Sequence, residues 1–129
     1  MKIASTVARY LLGVIFIVFG LNGFLHFIPP QPAPPVALQF AGALMQSHYM
    51  TVVFAIQLIG GLLLLACRYV PLALTMLGAV IFNIILFHVF MAPGGLPLAL
   101  FVALLWMLTA YQVREAFSGI FRDSPGRDR

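Results

Sequence analysis

Charged side chains are scarce in this 129-residue chain: 8% of the residues are charged, whereas 63% are hydrophobic. Soluble domains have about a quarter of their residues charged, and a chain this short buries only part of its surface when it folds. The mean hydropathy of +1.08 points the same way. The scarcity of charge excludes a soluble domain, a disordered chain and a nucleic-acid-binding module. It indicates a protein whose solvent is the lipid bilayer.

Cysteine is almost absent as well, because Cys67 is the only one. A single thiol can form neither an internal disulfide nor a CxxC redox pair. Disulfide-stapled secreted domains and membrane thiol oxidoreductases are therefore excluded. Alternation of apolar and polar residues is also missing, which excludes a transmembrane β-barrel. Cys67 is interpreted as a small apolar residue at a helix end.

Four apolar runs remain, each close to the roughly 20 residues that cross a bilayer as a helix. The first run follows a basic segment, as in a signal peptide, but it has no small-x-small cleavage site and is expected to be retained. The predicted fold is an all-α transmembrane four-helix bundle, a single domain over residues 1–121, with a disordered cytoplasmic tail at 122–129. The predicted spans are about 7–28, 50–67, 71–91 and 97–113.

The segment between the first two spans is rich in proline over residues 29–35, which favours an extended polyproline II conformation. Residues 36–47 predict a short uncharged helix at the membrane interface, with Gln39 and Gln46 on one face. This helix is either a connector on the membrane surface or a lid over a pocket beneath it.

All seven basic residues fall on one side of the predicted membrane and form no basic stripe. By the positive-inside rule, both termini are expected in the cytoplasm, and the expected location is a bacterial inner membrane. Arg9 and Arg68 are interpreted as interface anchors rather than as ligands. The seven residues are Lys2, Arg9, Arg68, Arg114, Arg122, Arg127 and Arg129.

Polar side chains within the spans are the candidates for a binding site, because they are costly in a membrane. At 1.5 Å per residue, the three amides among them are expected roughly 10 Å below the outer surface, and the two histidines roughly 5 Å below it. All of them fall in the outer half of the predicted bundle. The candidate cofactor-binding residues are Asn22, His26, Gln57, Asn83 and His88.

The spacing of these residues only partly supports a common site. Asn22 and His26 are four residues apart and share a helix face. Asn83 and His88 are five apart, about 140° around an ideal helix, and face one site only if that helix is distorted.

Two other features concern helix packing. Gly60 and Gly61 share a face with Gln57 and allow a neighbouring helix to approach closely. Trp106 lies well inside the fourth span, so its indole N–H is expected to have an internal partner.

The candidate polar residues have several interpretations. Hydrogen bonds between helices are one. A polar pocket for a small ligand is another, and a quinone headgroup suits histidine and amide donors with apolar walls for its tail. A bis-histidine haem at His26 and His88 is compatible with their depths. A metal site that includes His48 would have no carboxylate or thiolate ligand on that side, and no intramembrane acid indicates a proton-coupled transporter.

The chain from Arg9 to Phe121 resembles the DoxX family of small four-helix membrane proteins. Relatives often have an acid at the position of Gln57. The motifs that carry the resemblance are Arg9-Tyr10-Leu11-Leu12-Gly13, Phe19-Gly20-Leu21-Asn22-Gly23, His26-Phe27, Gln57 with Gly60-Gly61-Leu62-Leu63-Leu64, Arg68, Asn83-Ile84-Ile85-Leu86-Phe87-His88 and Pro93-Gly94-Gly95-Leu96-Pro97.

The family takes its name from a small subunit of a thiosulfate:quinone oxidoreductase, and it has no established catalytic motif. The resemblance implies an accessory or quinone-interacting subunit of a membrane redox system, with quinone as the candidate cofactor and a redox subunit as the candidate partner. Fold similarity is an associational basis for function. The alternative is a non-enzymatic membrane protein that acts in complex assembly or small-solute passage.

Overall fold

The computed structural model describes residues 1–123, and these residues form helices and turns with no strand. Four helices are long and apolar enough to cross a membrane. The predicted all-α fold, with four long helices and a short one after the first, is confirmed. The predicted tail lies outside the described residues beyond residue 123. The helices are α1 (Lys2–Leu25), α2 (Pro35–Gln46), α3 (Tyr49–Ala66), α4 (Val70–Phe90) and α5 (Leu96–Gln112), with 3-10 turns at Pro93–Gly95 and Arg114–Phe117.

Helix α1 differs most from its predicted span of about 7–28, because it begins at Lys2 and ends at Leu25. The helix stops at Leu25 rather than near residue 28, because His26 adopts a left-handed conformation with φ 53° and ψ 47°. The His26 N–H still donates to the Asn22 carbonyl at 2.8 Å, which closes the last turn. Asn22 therefore lies about one helical turn, roughly 5 Å, from the helix end, instead of the 10 Å expected.

The short helix α2 begins where proline permits it. Pro34 has the polyproline II angles φ −58° and ψ 154°, and Pro35 occupies the first turn, where a missing N–H costs nothing. Ala37 is buried, and the Phe40 ring stacks on Phe87 of α4 at 5.8 Å between centroids. Helix α2 thus rests against the rest of the bundle.

The long helices form a ring in the order α1, α3, α4, α5, in which each helix is antiparallel to both neighbours. One end of the ring, here the terminal end, contains residue 1, the 67–69 turn and residues 113–123. The opposite, distal end contains residues 26–48 and 91–95. The centre is apolar, with Leu12, Phe16, Leu64, Leu74 and Leu77 at its core.

Glycines bring α1 and α3 together along their length. A Cβ atom on Gly61 would lie 2.8 Å from the Gly13 carbonyl oxygen, and one on Gly20 would lie 3.1 Å from that of Phe54. Gly60 packs against Leu77 of α4 in the same way. Small residues let membrane helices approach backbone to backbone, so the expectation for the glycines after Gln57 is confirmed.

Candidate functional site

The five predicted site residues differ widely in burial. Gln57 is buried, with 6% of its surface exposed, whereas Asn22 and His88 are half-buried. His26 and Asn83 are exposed. Only one of the five therefore lies in the interior of the bundle.

Asn22 and His26 together terminate α1. The Asn22 side-chain oxygen accepts a hydrogen bond from the Ile28 N–H at 2.7 Å, while its backbone carbonyl accepts one from His26. The last four carbonyl groups of a helix have no partner within the helix, so other groups must form hydrogen bonds with them. The two residues lie at the same end of the helix, as expected, but their hydrogen bonds are made with backbone groups.

Asn83 and His88 also bond the backbone of their own helix. The Asn83 amide donates to the Ala79 carbonyl at 2.8 Å, and His88 Nδ1 lies 2.8 Å from the Ile84 carbonyl oxygen. The other side of the His88 ring lies against Gly95 in the turn before α5. No hydrogen bond within residues 1–123 joins two of the five candidates, and their grouping into one site stays a prediction.

Gln57 is the exception among the five. Gly60 and Gly61, which share its face, pack against Leu77 of α4 and Ile17 of α1, so this face of α3 lies against both neighbouring helices. Its amide has no side-chain hydrogen bond within residues 1–123, but the one fully buried side-chain oxygen or nitrogen without a partner in that range is Ser5 Oγ, so the Gln57 amide keeps some accessible surface. An amide on a buried residue that no protein group engages makes Gln57 the strongest remaining candidate for a ligand contact at the distal half.

Three further buried polar residues lie at the terminal end, where the sequence reasoning did not place a site. Arg9 is 7% exposed, Ser5 1% and Thr109 0%. The bond from Gln112 to Thr6 sets the register of α1 and α5, so Thr109 lies at the level of Arg9. Ser5, Arg9 and the buried Leu12 follow one face of α1, a spacing that could have revealed them.

Arg9 ties α1 to the end of α3. Its guanidinium donates to the Leu64 carbonyl and lies 4.4 Å from the Tyr10 ring centroid. The carbonyls at a helix C-terminus lack intrahelical partners and carry partial negative charge, which favours a cation there. No described carboxylate pairs with Arg9. Arg9 is thus a buried link between helices, not the interface anchor expected from the sequence.

Trp106 has the internal partner expected of it. Its indole Nε1–H donates to the Leu74 carbonyl at 2.8 Å, and its ring packs over Gly78. Thr109, one turn later, donates to the Leu105 carbonyl of its own helix at 2.8 Å. The Trp106 contacts join α5 to α4 at the terminal end, whereas the Thr109 bond stays within α5.

Two open depressions lie at the terminal end on either side of Arg114. One, of about 450 Å³, has polar and apolar surface in nearly equal parts and is here called the polar depression, and the other, of about 500 Å³, is almost entirely apolar. The polar depression is lined by Pro71, Gln112, Val113, Arg114, Glu115 and Ala116. Those lining the apolar one include Thr75, Trp106, Ala110, Tyr111, Arg114 and Phe117.

Metal-ligating residues do not converge in this part of the chain: within residues 1–123, no three His, Cys, Asp or Glu side chains lie together. The histidines instead lie at helix ends. His26 follows α1, His48 precedes α3, and His88 lies in the last turn of α4.

No protein-family model, curated protein or solved structure matches this chain. The resemblance to DoxX proteins therefore rests on the sequence motifs between Arg9 and Phe121. The family assignment stays a prediction, whereas the four-helix bundle is a property of the structure.

Proposed function

We propose that the chain is a DoxX-like integral membrane protein that acts as a non-catalytic accessory subunit of a membrane redox system. The observation that carries this proposal is that the polar side chains within the helices form hydrogen bonds with the backbone. Trp106, Thr109 and Asn83 bond helix carbonyls, and Asn22 bonds a backbone N–H. Polar side chains that bond backbone groups stabilise the helix bundle. Such a bundle suits a protein that works by association within the bilayer.

The proposed test uses the protein in its native membranes, with an epitope tag and mild detergent extraction. The protein is expected to migrate in a native gel as part of a larger complex that has quinone-dependent oxidoreductase activity. Migration only as the free protein, with that activity elsewhere in the gel, would contradict the accessory role. It would leave assembly of other complexes and small-solute passage as the alternatives.

The proposed setting is a bacterial inner membrane with both termini in the cytoplasm. The support is the distribution of charge: no Asp, Glu, Lys or Arg occurs in residues 10–67 or 69–113, so every charged residue described lies at the terminal end. Cytoplasmic segments are enriched in Lys and Arg.

The single cysteine makes this orientation testable. Cys67 is exposed at the terminal end, and Ser47 is exposed at the distal end. A membrane-impermeant thiol reagent should label Cys67 in inverted vesicles but not in intact spheroplasts. A matched chain carrying Cys67→Ser with Ser47→Cys should show the reverse pattern. The same labelling of both chains from one side would overturn the topology.

A second candidate, direct interaction with a quinone, is favoured by one observation, the amide of the buried residue Gln57, which makes no hydrogen bond to another described side chain or backbone group. An amide N–H₂ can donate to a quinone carbonyl, and the apolar helix faces around it suit the tail. Protein purified in mild detergent should then retain quinone, and Gln57→Leu should lose it. Gln46→Leu, which removes an exposed amide at the distal end outside the five candidates, is the matched control. Equal retention by both variants would exclude Gln57 as the contact.

A further inference from the structure

Arg114 lies where the polar and the apolar depressions of the terminal end meet. Both are lined by this one residue, although they differ in character. A site that is polar on one side and apolar on the other matches an amphiphile, because a charged headgroup and a hydrocarbon tail need opposite surroundings.

The guanidinium of Arg114 is held in place by the end of α5. One of its nitrogens donates to the Tyr111 carbonyl at 2.8 Å, and its central carbon lies 4.4 Å from the Tyr111 ring centroid. A guanidinium has five N–H donors, and the bond to the Tyr111 carbonyl uses one of them. Such a group suits a phosphate, which arginine binds in a bidentate manner.

The apolar depression extends from Arg114 towards the interior of the predicted membrane. Trp106 is eight residues before Arg114, so the depression runs along about 12 Å of helix at 1.5 Å per residue. Met107 and Ala110 also line it. That length accommodates part of one acyl chain, entering from the surrounding lipid.

We propose that this junction binds one anionic glycerophospholipid, with its phosphate on Arg114 and an acyl chain in the apolar depression. The carboxylate of Glu115 lines the polar side. A headgroup that carries hydroxyl donors beside its phosphate suits that carboxylate better than a bare phosphate does. Lys and Arg side chains next to a membrane span attract anionic lipids at the cytoplasmic surface, the side on which Arg114 is proposed to lie.

The charge half of the proposal is tested with the whole chain, delipidated in neutral detergent and titrated with phosphatidylglycerol or phosphatidylcholine under native mass spectrometry. One phosphatidylglycerol should bind in preference to phosphatidylcholine. Arg114→Gln should weaken it by about fivefold or more. Arg68→Gln removes one exposed charge at the same end and should leave binding unchanged. Equal weakening by the two variants would overturn the site, because it would show attraction to the whole charged end.

The apolar half is tested by filling the depression without changing charge. Ala110→Leu should weaken phosphatidylglycerol binding, whereas Ala79→Leu, at an exposed position on α4 outside the depression, should not. Circular dichroism and size exclusion establish that each variant is folded. Unchanged binding in Ala110→Leu, or full competition by inorganic phosphate, would contradict a lipid as the ligand.

Discussion

The two ends of the bundle use polar side chains in opposite ways. At the terminal end, Arg9 bonds Leu64 on another helix and Trp106 bonds Leu74 on another. At the distal end, Asn83 bonds its own helix, and Asn22 bonds the chain that directly follows its helix. The terminal end is joined by long-range polar contacts, and the distal end is shaped by local ones.

This difference shows that the number of polar residues at one end of the bundle does not indicate how strongly they join its helices. Four of the five candidates chosen from the sequence lie at helix ends or on exposed faces, where a local backbone partner is always within reach. The terminal end, in contrast, buries Ser5, Arg9 and Thr109. We therefore expect the terminal end to hold the four helices together and the distal end to tolerate more change.

Glycine substitutions at the two ends of the α1–α3 interface should show the largest contrast. A Cβ on Gly61 meets a backbone oxygen of Gly13 at 2.8 Å, so the two helix backbones must move apart, whereas one on Gly23 overlaps Cγ of Phe54, so the half-buried Phe54 side chain must adopt another rotamer. Gly61→Ala should lower the unfolding free energy by about 3 kcal/mol and Gly23→Ala by about 1 kcal/mol. The measurement is unfolding by sodium dodecyl sulfate in mixed micelles.

Gly42 provides the control for these glycines, because a Cβ there meets nothing within 4 Å. Gly42→Ala should leave stability unchanged or raise it slightly, since alanine favours the helix by about 0.5–1 kcal/mol. If Gly23→Ala lowers the unfolding free energy more than Gly61→Ala does, the distal end contributes more to stability than the terminal end, contrary to our expectation.

Replacement of the buried arginine should have the next largest effect. Arg9→Met keeps the length of the side chain but removes the charged hydrogen bond to the Leu64 carbonyl. Hydrogen bonds to charged groups contribute about 1.5–3 kcal/mol, so a loss of about 2 kcal/mol is expected in the same assay. Arg68→Met, at an exposed position, should change stability by no more than about 0.5 kcal/mol.

The opposite result for Arg9 would be informative. A buried charge without a carboxylate partner also costs desolvation energy, and replacing such groups with apolar ones is sometimes neutral or stabilising. If Arg9→Met unfolds at the same or a higher detergent fraction than the parent chain, the terminal end is held by apolar packing rather than by Arg9.

The sequence predicts the framework of this molecule well for a simple physical reason. Backbone groups in lipid must bond within their own segment, so long apolar runs can only be helices. Prolines then mark the starts, as Pro35 and Pro71 do in the first turns of α2 and α4. The end of α1 has no such marker in the sequence, because its left-handed residue is His26 rather than glycine.

The candidate site was harder to predict because burial depends on the neighbouring helices. A charged residue near the end of a span is normally assigned to the interface, and Arg9 is inside because the α3 carbonyl terminus lies opposite it. An exposed amide such as Asn83 has the same sequence context as the buried Gln57. Periodicity within one helix does not reveal which face its neighbours cover.

The long-range bond of Trp106 should contribute less than that of Arg9. Trp106→Phe removes the donor to the Leu74 carbonyl and part of the ring that covers Gly78. A loss of about 1.5 kcal/mol is expected, made up of one hydrogen bond and some apolar contact. Phe101→Leu, which trims an exposed aromatic residue on the same helix, is the control. Equal losses in the two variants would show that the indole bond adds nothing.

The smallest effect among the candidate site residues, and a stabilising one, is expected at the distal end. His26 is in the left-handed region at φ 53°, which costs energy for any residue with a Cβ and is normal for glycine. His26→Gly should therefore raise the unfolding free energy by about 0.5 kcal/mol, whereas Asn22→Ala should lower it by about 1 kcal/mol through loss of the Ile28 contact. Melting temperatures of the purified variants distinguish the two signs. A less stable His26→Gly chain would show that the imidazole itself makes a contact that matters, and it would restore His26 as a candidate for binding.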